Sequence, residues 1–129
     1  MKLENIQDLE KMAKEIRKGI LEEVYNAQSG HPGGSLSIAD ILTVLYFNQL
    51  KIDEKNPEWS ERDRCILSKG HCSPALYSCL AHRGFFPVED LKTFRNINSY
   101  LQGHPDMKKI PGVDMTTGSL GQGLSAAVG

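Results

Sequence analysis

Three histidines of this chain stand next to glycine, where little side-chain bulk separates an imidazole from an approaching ligand. His31, His71 and His104 occur in the segments SGHPGG, SKGH and QGHPDM. Because the imidazole pKa lies close to neutrality, such side chains can transfer protons or bind hydroxyl and phosphate groups. Each histidine alone is also consistent with a polar loop residue that is hydrogen-bonded locally. The fourth, His82, falls inside a predicted helix and is interpreted as a solvated residue.

A glycine-rich stretch, TTGSLGQG, occupies residues 116–123. Its backbone N–H groups are unshielded by side chains and precede a predicted helix, a combination that can receive a phosphate or a flat ring. The alternative is a loop that only caps the helix. A dinucleotide site is rejected, because no convincing strand precedes the stretch and no acidic residue follows at the required distance.

The cysteines do not indicate a metal site or a disulfide framework. Cys65, Cys72 and Cys79 are odd in number, and none forms a Cys-x-x-Cys pair. A structural zinc site needs four ligands in closely spaced pairs. We therefore expect reduced thiols that pack as small apolar side chains.

Composition excludes several classes of partner. Fifteen Lys and Arg against sixteen Asp and Glu give a formal charge of −1 over 129 residues, so nucleic acid and acidic membrane surfaces are not expected as partners. The amino terminus lacks the apolar region of a secretory signal, and the apolar run ILTVLYF is far shorter than a membrane span. One cytoplasmic domain with no membrane segment is the expectation.

Helices are predicted at the start of the chain. Apolar residues recur every three or four positions from Ile6 to about Gln28, which is typical of an amphipathic helix. The segment SGHPGGSLS, residues 29–37, is predicted to lack regular structure because of its glycines and proline. Ser37 is then predicted to cap a second helix that runs to about Gln49.

A buried parallel strand is predicted at residues 64–67, RCIL, with its carboxyl end leading into SKGH. Ligands of open α/β sheets bind at such ends. Ser73 and Pro74 are predicted to start a helix, and Pro87 another through about Arg95. Because one strand cannot form a sheet, the predicted fold is the opening part of an α/β domain, a parallel sheet flanked by helices, incomplete within residues 1–129.

Three segments, taken in order, resemble the amino-terminal part of transketolases. They are SGHPGGSLSIADILTVLY, DRCILSKGHCSPALY and QGHPDMKKIPGVDMTTGSLGQGLSAAVG. The resemblance runs from about Ala27 to the end of the chain and implies that residues 1–129 are a partial thiamine diphosphate-binding domain, of the type that binds the diphosphate. It also implies an enzyme that moves a two-carbon ketol unit from a ketose phosphate to an aldose phosphate.

The resemblance implies roles for individual residues. His31 and His104 are expected to contact carbonyl and hydroxyl oxygens of the sugar phosphate and to help move protons, and His71 to approach the cofactor diphosphate. The Gly118 backbone and the Leu120 side chain are expected to meet the aminopyrimidine ring. Ser119 and Gly121 are expected to shape that turn, although many transketolases have proline in place of the serine.

The resemblance also implies parts that this sequence lacks. Transketolases bind Mg²⁺ or Ca²⁺ through a Gly-Asp-Gly and a later Asn, which are expected beyond Gly129. The glutamate that activates the aminopyrimidine comes from the next domain across a dimer interface. We therefore expect this chain to be a truncated amino-terminal subunit of a split transketolase. The complete enzyme is expected to be a dimer that includes a carboxy-terminal half, and residues 1–129 alone are expected to be inactive.

Two alternatives remain open at the level of sequence. One is a non-catalytic binding or assembly module that uses the first helix to dock a partner. The other is a relative of deoxyxylulose phosphate synthase, which also uses thiamine diphosphate. Ketol transfer to ribose 5-phosphate, compared with decarboxylation of pyruvate, separates the two enzymes.

Overall fold

The structure is a computed structural model that describes residues 2–129, and its regular elements are helical. None of the helices within that range is long and apolar enough to cross a membrane. The α-helices are α1 (Ile6–Ala27), α2 (Pro32–Val44), α3 (Ser73–Arg83) and α4 (Gln122–Val128). A π-helical turn (Leu45–Gln49) extends α2, and 3₁₀ turns lie at Gly70–Cys72 and Val88–Thr93.

Helix α1 confirms the prediction from apolar spacing. The Asn5 side chain accepts a hydrogen bond from the Asp8 backbone N–H at 2.8 Å and so caps the helix. Gln28 adopts a left-handed conformation with φ of 53°, which ends the helix. Ile16 and Ile20 are fully buried, but Ile6 is 69% exposed. Ile6 lines an open groove between the first turns of α1 and the end of α2.

Helix α2 begins earlier than predicted and overturns the expectation that residues 29–37 lack regular structure. It starts at Pro32, where the missing N–H of proline costs nothing, and His31 is the residue before it. Ser37 lies inside the helix and does not cap it, because its Oγ donates to the Gly34 carbonyl at 2.9 Å. Gly34 packs against Cys72, and this tertiary contact is compatible only with a small residue in the first turn.

The core lies where α1, α2 and α3 pack on one another. α1 and α3 approach closely at Gly19, because a Cβ there would lie 2.2 Å from Ser78 Oγ. Ser78 uses that hydroxyl to donate to the Ile16 carbonyl at 2.9 Å. The large side chains that fill this core without exposure include Phe47, Tyr77, Leu80 and Phe94. This packing fixes the amino-terminal end of α3, which directly follows residues 68–72.

The predicted strand at residues 64–67 is not observed, and no strand occurs anywhere in residues 2–129. A strand needs a neighbouring strand to satisfy its backbone, and the described chain supplies none. The Cys65 N–H donates instead to Asp114 Oδ2 at 2.9 Å. The helical layer is therefore shown, and the parallel sheet is not.

The predictions for α3 and the following segment are partly corrected. Ser73 is the first residue of α3, after Cys72, and does not cap it, because its hydroxyl donates to the Gly103 carbonyl at 2.8 Å. The helix expected from Pro87 to Arg95 is a 3₁₀ helix at Val88–Thr93. Helix α4 confirms the helix predicted after the glycine-rich stretch.

Candidate functional site

Residues 68–72, SKGHC, form the junction to which the other predicted site segments attach. Gly70–Cys72 make a 3₁₀ turn that leads directly into α3. A Cβ on Gly70 would lie 2.5 Å from Thr117 Oγ1 and 2.8 Å from the Thr117 backbone carbon. Only glycine allows this approach, so residues 68–72 and the glycine-rich stretch lie in direct contact.

His31 and His71 form a pair. Their ring centroids lie 4.9 Å apart, and the ring planes meet at 82°, an edge-to-face arrangement. His31 precedes the first turn of α2, and His71 lies on the turn before α3, so the packing of α2 on α3 creates the pair. His31 is exposed and His71 is half-buried. Both imidazoles are therefore accessible to a ligand.

His104 lies beside the glycine-rich stretch. A Cβ on Gly118 would lie 3.4 Å from His104 Cδ2. The backbone around His104 is held on both sides, because Ser73 donates to the Gly103 carbonyl at 2.8 Å and the Thr117 N–H donates to the Pro105 carbonyl at 3.4 Å. The third histidine therefore reaches the same junction through residues 103–105, adjacent to Gly118.

The glycine-rich stretch presents an open backbone. Gly121 has a φ of 91°, which glycine adopts without strain, and its N–H donates to the Ser68 carbonyl at 3.4 Å. Ser119 is exposed, and Leu120 is 72% exposed. A groove of about 660 Å³ runs along this stretch, lined by Thr117, Gly118, Ser119, Gln122 and Gly123 among others. The lining comes from this stretch and from α4, and none of the three histidines contributes to it.

Two buried hydroxyls lie at the junction. Ser68 Oγ and Thr117 Oγ1 are shielded from solvent and make no hydrogen bond within the described residues. A buried hydroxyl without a partner is costly, so a ligand or water is expected to satisfy them. Unpaired hydroxyls, accessible imidazoles and open backbone N–H groups together fit an anionic ligand that carries a flat ring.

Sequence reasoning missed two residues that organise the site. Lys69 donates to the Gly34 carbonyl at 2.8 Å. Its position directly before Gly70, in the SKGH segment, is the sequence feature that could have identified it. Asp114 accepts from Arg62 Nε at 3.0 Å and from the Cys65 N–H at 2.9 Å, a buried arrangement that anchors the start of the glycine-rich stretch. No sequence signal paired Asp114 with Arg62, because 52 residues separate them.

The cysteines are free thiols, as predicted. Burial raises the pKa of Cys72, although the nearby Lys69 ammonium group lowers it, and burial also raises the pKa of Cys65 and of Cys79. They therefore stay protonated at neutral pH and serve as packing residues. Within residues 2–129, no three His, Cys, Asp or Glu side chains are arranged to hold a metal ion.

Comparison with known families identifies the class of domain to which this fold belongs. The family described as "Transketolase, thiamine diphosphate binding domain" matches residues 9–129. The chain belongs to this family.

Individual relatives agree with that assignment. The chain is 56% identical to the 6-deoxy-6-sulfo-D-fructose transketolase subunit SqwG of Clostridium sp. (strain MSTE9), over 95% of this chain and 44% of that protein. It is 51% identical to a transketolase of Buchnera aphidicola, over 92% of this chain and 18% of that protein. A crystal structure of Pichia stipitis transketolase with sedoheptulose-7-phosphate superposes with a TM-score of 0.89 at 40% identity, over 93% of this chain and 18% of that one. The chain thus spans less than half the length of these relatives.

Proposed function

We propose that this chain is the cofactor-binding part of a transketolase, which transfers a two-carbon ketol unit from a ketose phosphate to an aldose phosphate. The observation that carries the proposal is the convergence of the His31–His71 pair, His104 and the Gly118 backbone on residues 68–72. Family membership supports the reaction class. Bound thiamine diphosphate supplies a nucleophilic carbanion and an electron sink.

The histidines handle the polar groups of substrate and cofactor. His71 lies where the backbone of Gly70 meets Thr117, and we assign it to the cofactor diphosphate. His31, edge-on to His71 at 4.9 Å, and His104 are assigned to the carbonyl and hydroxyl oxygens of the sugar phosphate. Imidazole suits both tasks, because it donates or accepts a proton near neutral pH.

The glycine-rich stretch is assigned to the aminopyrimidine ring. Gly118 offers its backbone, and the exposed Leu120 side chain offers an apolar surface for a flat ring. Ser119 and Gly121 shape the turn between them. The two unpartnered hydroxyls, Ser68 Oγ and Thr117 Oγ1, lie at the base of the same stretch and are available to polar atoms of the cofactor.

The remaining parts of the enzyme belong to the proposal as well. We infer that Mg²⁺ or Ca²⁺ binds with the diphosphate through residues outside residues 1–129. We also infer that the complete domain is a parallel sheet flanked by helices. The glutamate that activates the aminopyrimidine is proposed to come from a carboxy-terminal half or subunit. The complete enzyme is proposed to be a cytoplasmic dimer that acts in the pentose phosphate pathway. Residues 1–129 alone are therefore proposed to be inactive.

The test uses the longer polypeptide with its carboxy-terminal partner, thiamine diphosphate and Mg²⁺. Transfer of a ketol unit from a ketose phosphate to ribose 5-phosphate is expected. His104→Ala is expected to lower kcat/KM by about 100-fold or more, as for loss of a group that stabilises a transition state. His82→Ala is the matched control, because within the described residues the His82 ring bonds only to its own helix, at the Ser78 carbonyl 2.8 Å away.

Other outcomes identify the alternatives. Decarboxylation of pyruvate without ketol transfer would indicate the deoxyxylulose phosphate synthase class. Stable association with a partner but no turnover and no binding of thiamine diphosphate would indicate a non-catalytic assembly module. Activity of residues 1–129 alone would contradict the proposed need for a second half.

A sulfonated donor is a second candidate substrate, favoured by one observation. The relative at 56% identity carries 6-deoxy-6-sulfo-D-fructose in its name, whereas the Buchnera transketolase at 51% does not. The discriminating experiment offers 6-deoxy-6-sulfofructose and fructose 6-phosphate in competition. A higher kcat/KM for the sulfonate would assign the chain to sulfosugar metabolism, and a higher value for the phosphate would exclude that assignment.

A further inference from the structure

Lys69 joins two elements that carry the paired histidines. Its Nζ donates to the Gly34 carbonyl at 2.8 Å and to Ser37 Oγ at 3.2 Å. Both acceptors lie in the first turns of α2, directly after His31. The Ser37 hydroxyl donates to the same Gly34 carbonyl at 2.9 Å, so the Lys69 ammonium group, the Ser37 hydroxyl and the Gly34 carbonyl form one hydrogen-bond network.

We propose that Lys69 is a positioning residue, which holds the first turn of α2 against residues 68–72 so that His31 faces His71. The inference rests on the proposed function, because it assigns the histidine pair to the reaction. Within the described residues, the Lys69 ammonium group makes no hydrogen bond to either imidazole. It acts through the backbone that carries them.

The other contacts at this end of α2 do not fix its orientation to the same degree. Cys72 lies against Gly34, but an apolar contact has no preferred direction. Ser35 Oγ reaches the Cys72 carbonyl only at 3.4 Å. The hydrogen bonds from Lys69 are shorter and charge-assisted, and such bonds are about twice as strong as neutral ones. They are therefore the directional restraint at the junction.

Small displacements of His31 are expected to matter. Its ring meets that of His71 edge-on, with centroids 4.9 Å apart. A misplacement of about 1 Å in a catalytic site costs on the order of 100-fold in rate. A flexible α2 amino terminus would therefore lower turnover while the rest of the domain stayed folded.

The structural test compares crystal structures of the complete protein with Lys69→Met and with the wild-type residue. The methionine keeps an unbranched apolar stem but removes the ammonium group. The distance between the His31 and His71 centroids is expected to rise by about 1 Å or more. The Tyr77–Phe94 ring separation of 6.0 Å, in the core, is expected to stay the same. An unchanged histidine separation, or a shift of both ring pairs, would overturn the positioning role.

Two controls accompany this comparison. Lys55→Met removes an exposed ammonium group that makes no hydrogen bond within the described residues, and it is expected to leave both separations unchanged. Ser37→Ala removes one acceptor but keeps the charge, so it is expected to produce a smaller displacement of His31. If Lys69→Met does not fold, Ser37→Ala decides the question in the same crystals. An unchanged His31 position in that variant would then reject the proposal.

The kinetic test separates positioning from direct contact with a ligand. Lys69→Met is expected to lower kcat by about 10-fold to 100-fold with little change in KM for the ketose phosphate, and Lys69→Arg to restore part of it. The Kd for thiamine diphosphate, measured by titration, is expected to change less than about threefold. A rise in Kd that matched the fall in kcat would make Lys69 a cofactor ligand instead. Absence of turnover in the wild type would reject the proposed function, but the crystallographic comparison would still decide the role of Lys69.

Discussion

Gly34 and Cys72 occupy complementary space at the edge of the candidate site. A Cβ on Gly34 would lie 2.4 Å from Cys72 Sγ but 3.9 Å from Cys72 Cβ. The clash is therefore with the sulfur atom alone. The first turn of α2 lies close to residues 68–72 because one side contributes no side chain.

The first prediction follows from this pair. Gly34→Ala is expected to lower the free energy of unfolding by about 1–3 kcal/mol, because the new methyl group overpacks the junction. In the double variant with Cys72→Ala, most of that loss is expected to disappear, because the sulfur is gone. Urea unfolding of the four proteins of this double-mutant cycle measures the coupling. Purely additive losses would contradict the assigned contact.

A second prediction concerns the distance between Gly70 and Thr117. Gly70→Ala is expected to push the glycine-rich stretch away from residues 68–72, because the methyl group would meet backbone atoms at 2.8 Å. Binding of thiamine diphosphate by the complete protein is expected to weaken by about 10-fold or more, as when a site loses its preorganisation. Gly33→Ala is the matched control, since nothing lies within 4 Å of a Cβ there. Equal affinities of the two variants would argue against the junction as the cofactor site.

A third prediction concerns pH. Glu23 is fully buried, and neither of its carboxylate oxygens has a partner within the described residues. Burial, with a smaller contribution from Glu22, raises the pKa of the Glu23 carboxyl well above its usual value. The folded protein therefore holds this proton more tightly than the unfolded chain does. The contribution to stability is present below the unfolded pKa of about 4.5 and is lost as pH rises through the folded pKa.

Glu23→Gln is expected to remove this loss, because a neutral amide has no charge to desolvate. Its free energy of unfolding, relative to wild type, is expected to rise as pH increases above about 4.5. Thermal unfolding across a pH series measures the difference. Glu15→Gln, at a solvent-exposed position of the same helix, is the control and is expected to change little. A difference between Glu23→Gln and wild type that did not vary with pH would show that Glu23 has an ordinary pKa.

A fourth prediction compares two ion pairs. Arg62 and Asp114 are 16% and 8% exposed, whereas Arg17 and Asp40 are 36% and 79% exposed. Asp114→Ala is expected to cost about 3–5 kcal/mol, because it leaves a largely buried guanidinium and the Cys65 N–H without their acceptor. Asp40→Ala is expected to cost about 0–1 kcal/mol, because water can take the place of the lost carboxylate at the exposed Arg17 guanidinium. Chemical denaturation measures both, and similar losses would contradict the burial argument.

Local sequence signals were sufficient where a segment's structure depends on its own pattern. The apolar spacing of α1 predicted the helix to within a residue of its observed end, and Pro74 marked the start of α3. The same signals failed at residues 29–37, because Pro32 is favourable at the first helical position and the glycines are retained by the tight packing of Gly34 on Cys72. They failed at residues 64–67 because a strand forms only with a partner strand.

The sequence by itself determined which residue types are available for chemistry. It placed His31, His71, His104 and Gly118 in glycine-flanked segments, since glycine and histidine are recognisable without coordinates. Only the tertiary structure decided that two of these imidazoles lie 4.9 Å apart, that the third lies beside Gly118, and that Lys69 ties α2 to residues 68–72. Such relationships depend on how separate helices pack, and packing depends on side-chain contacts between residues far apart in the chain.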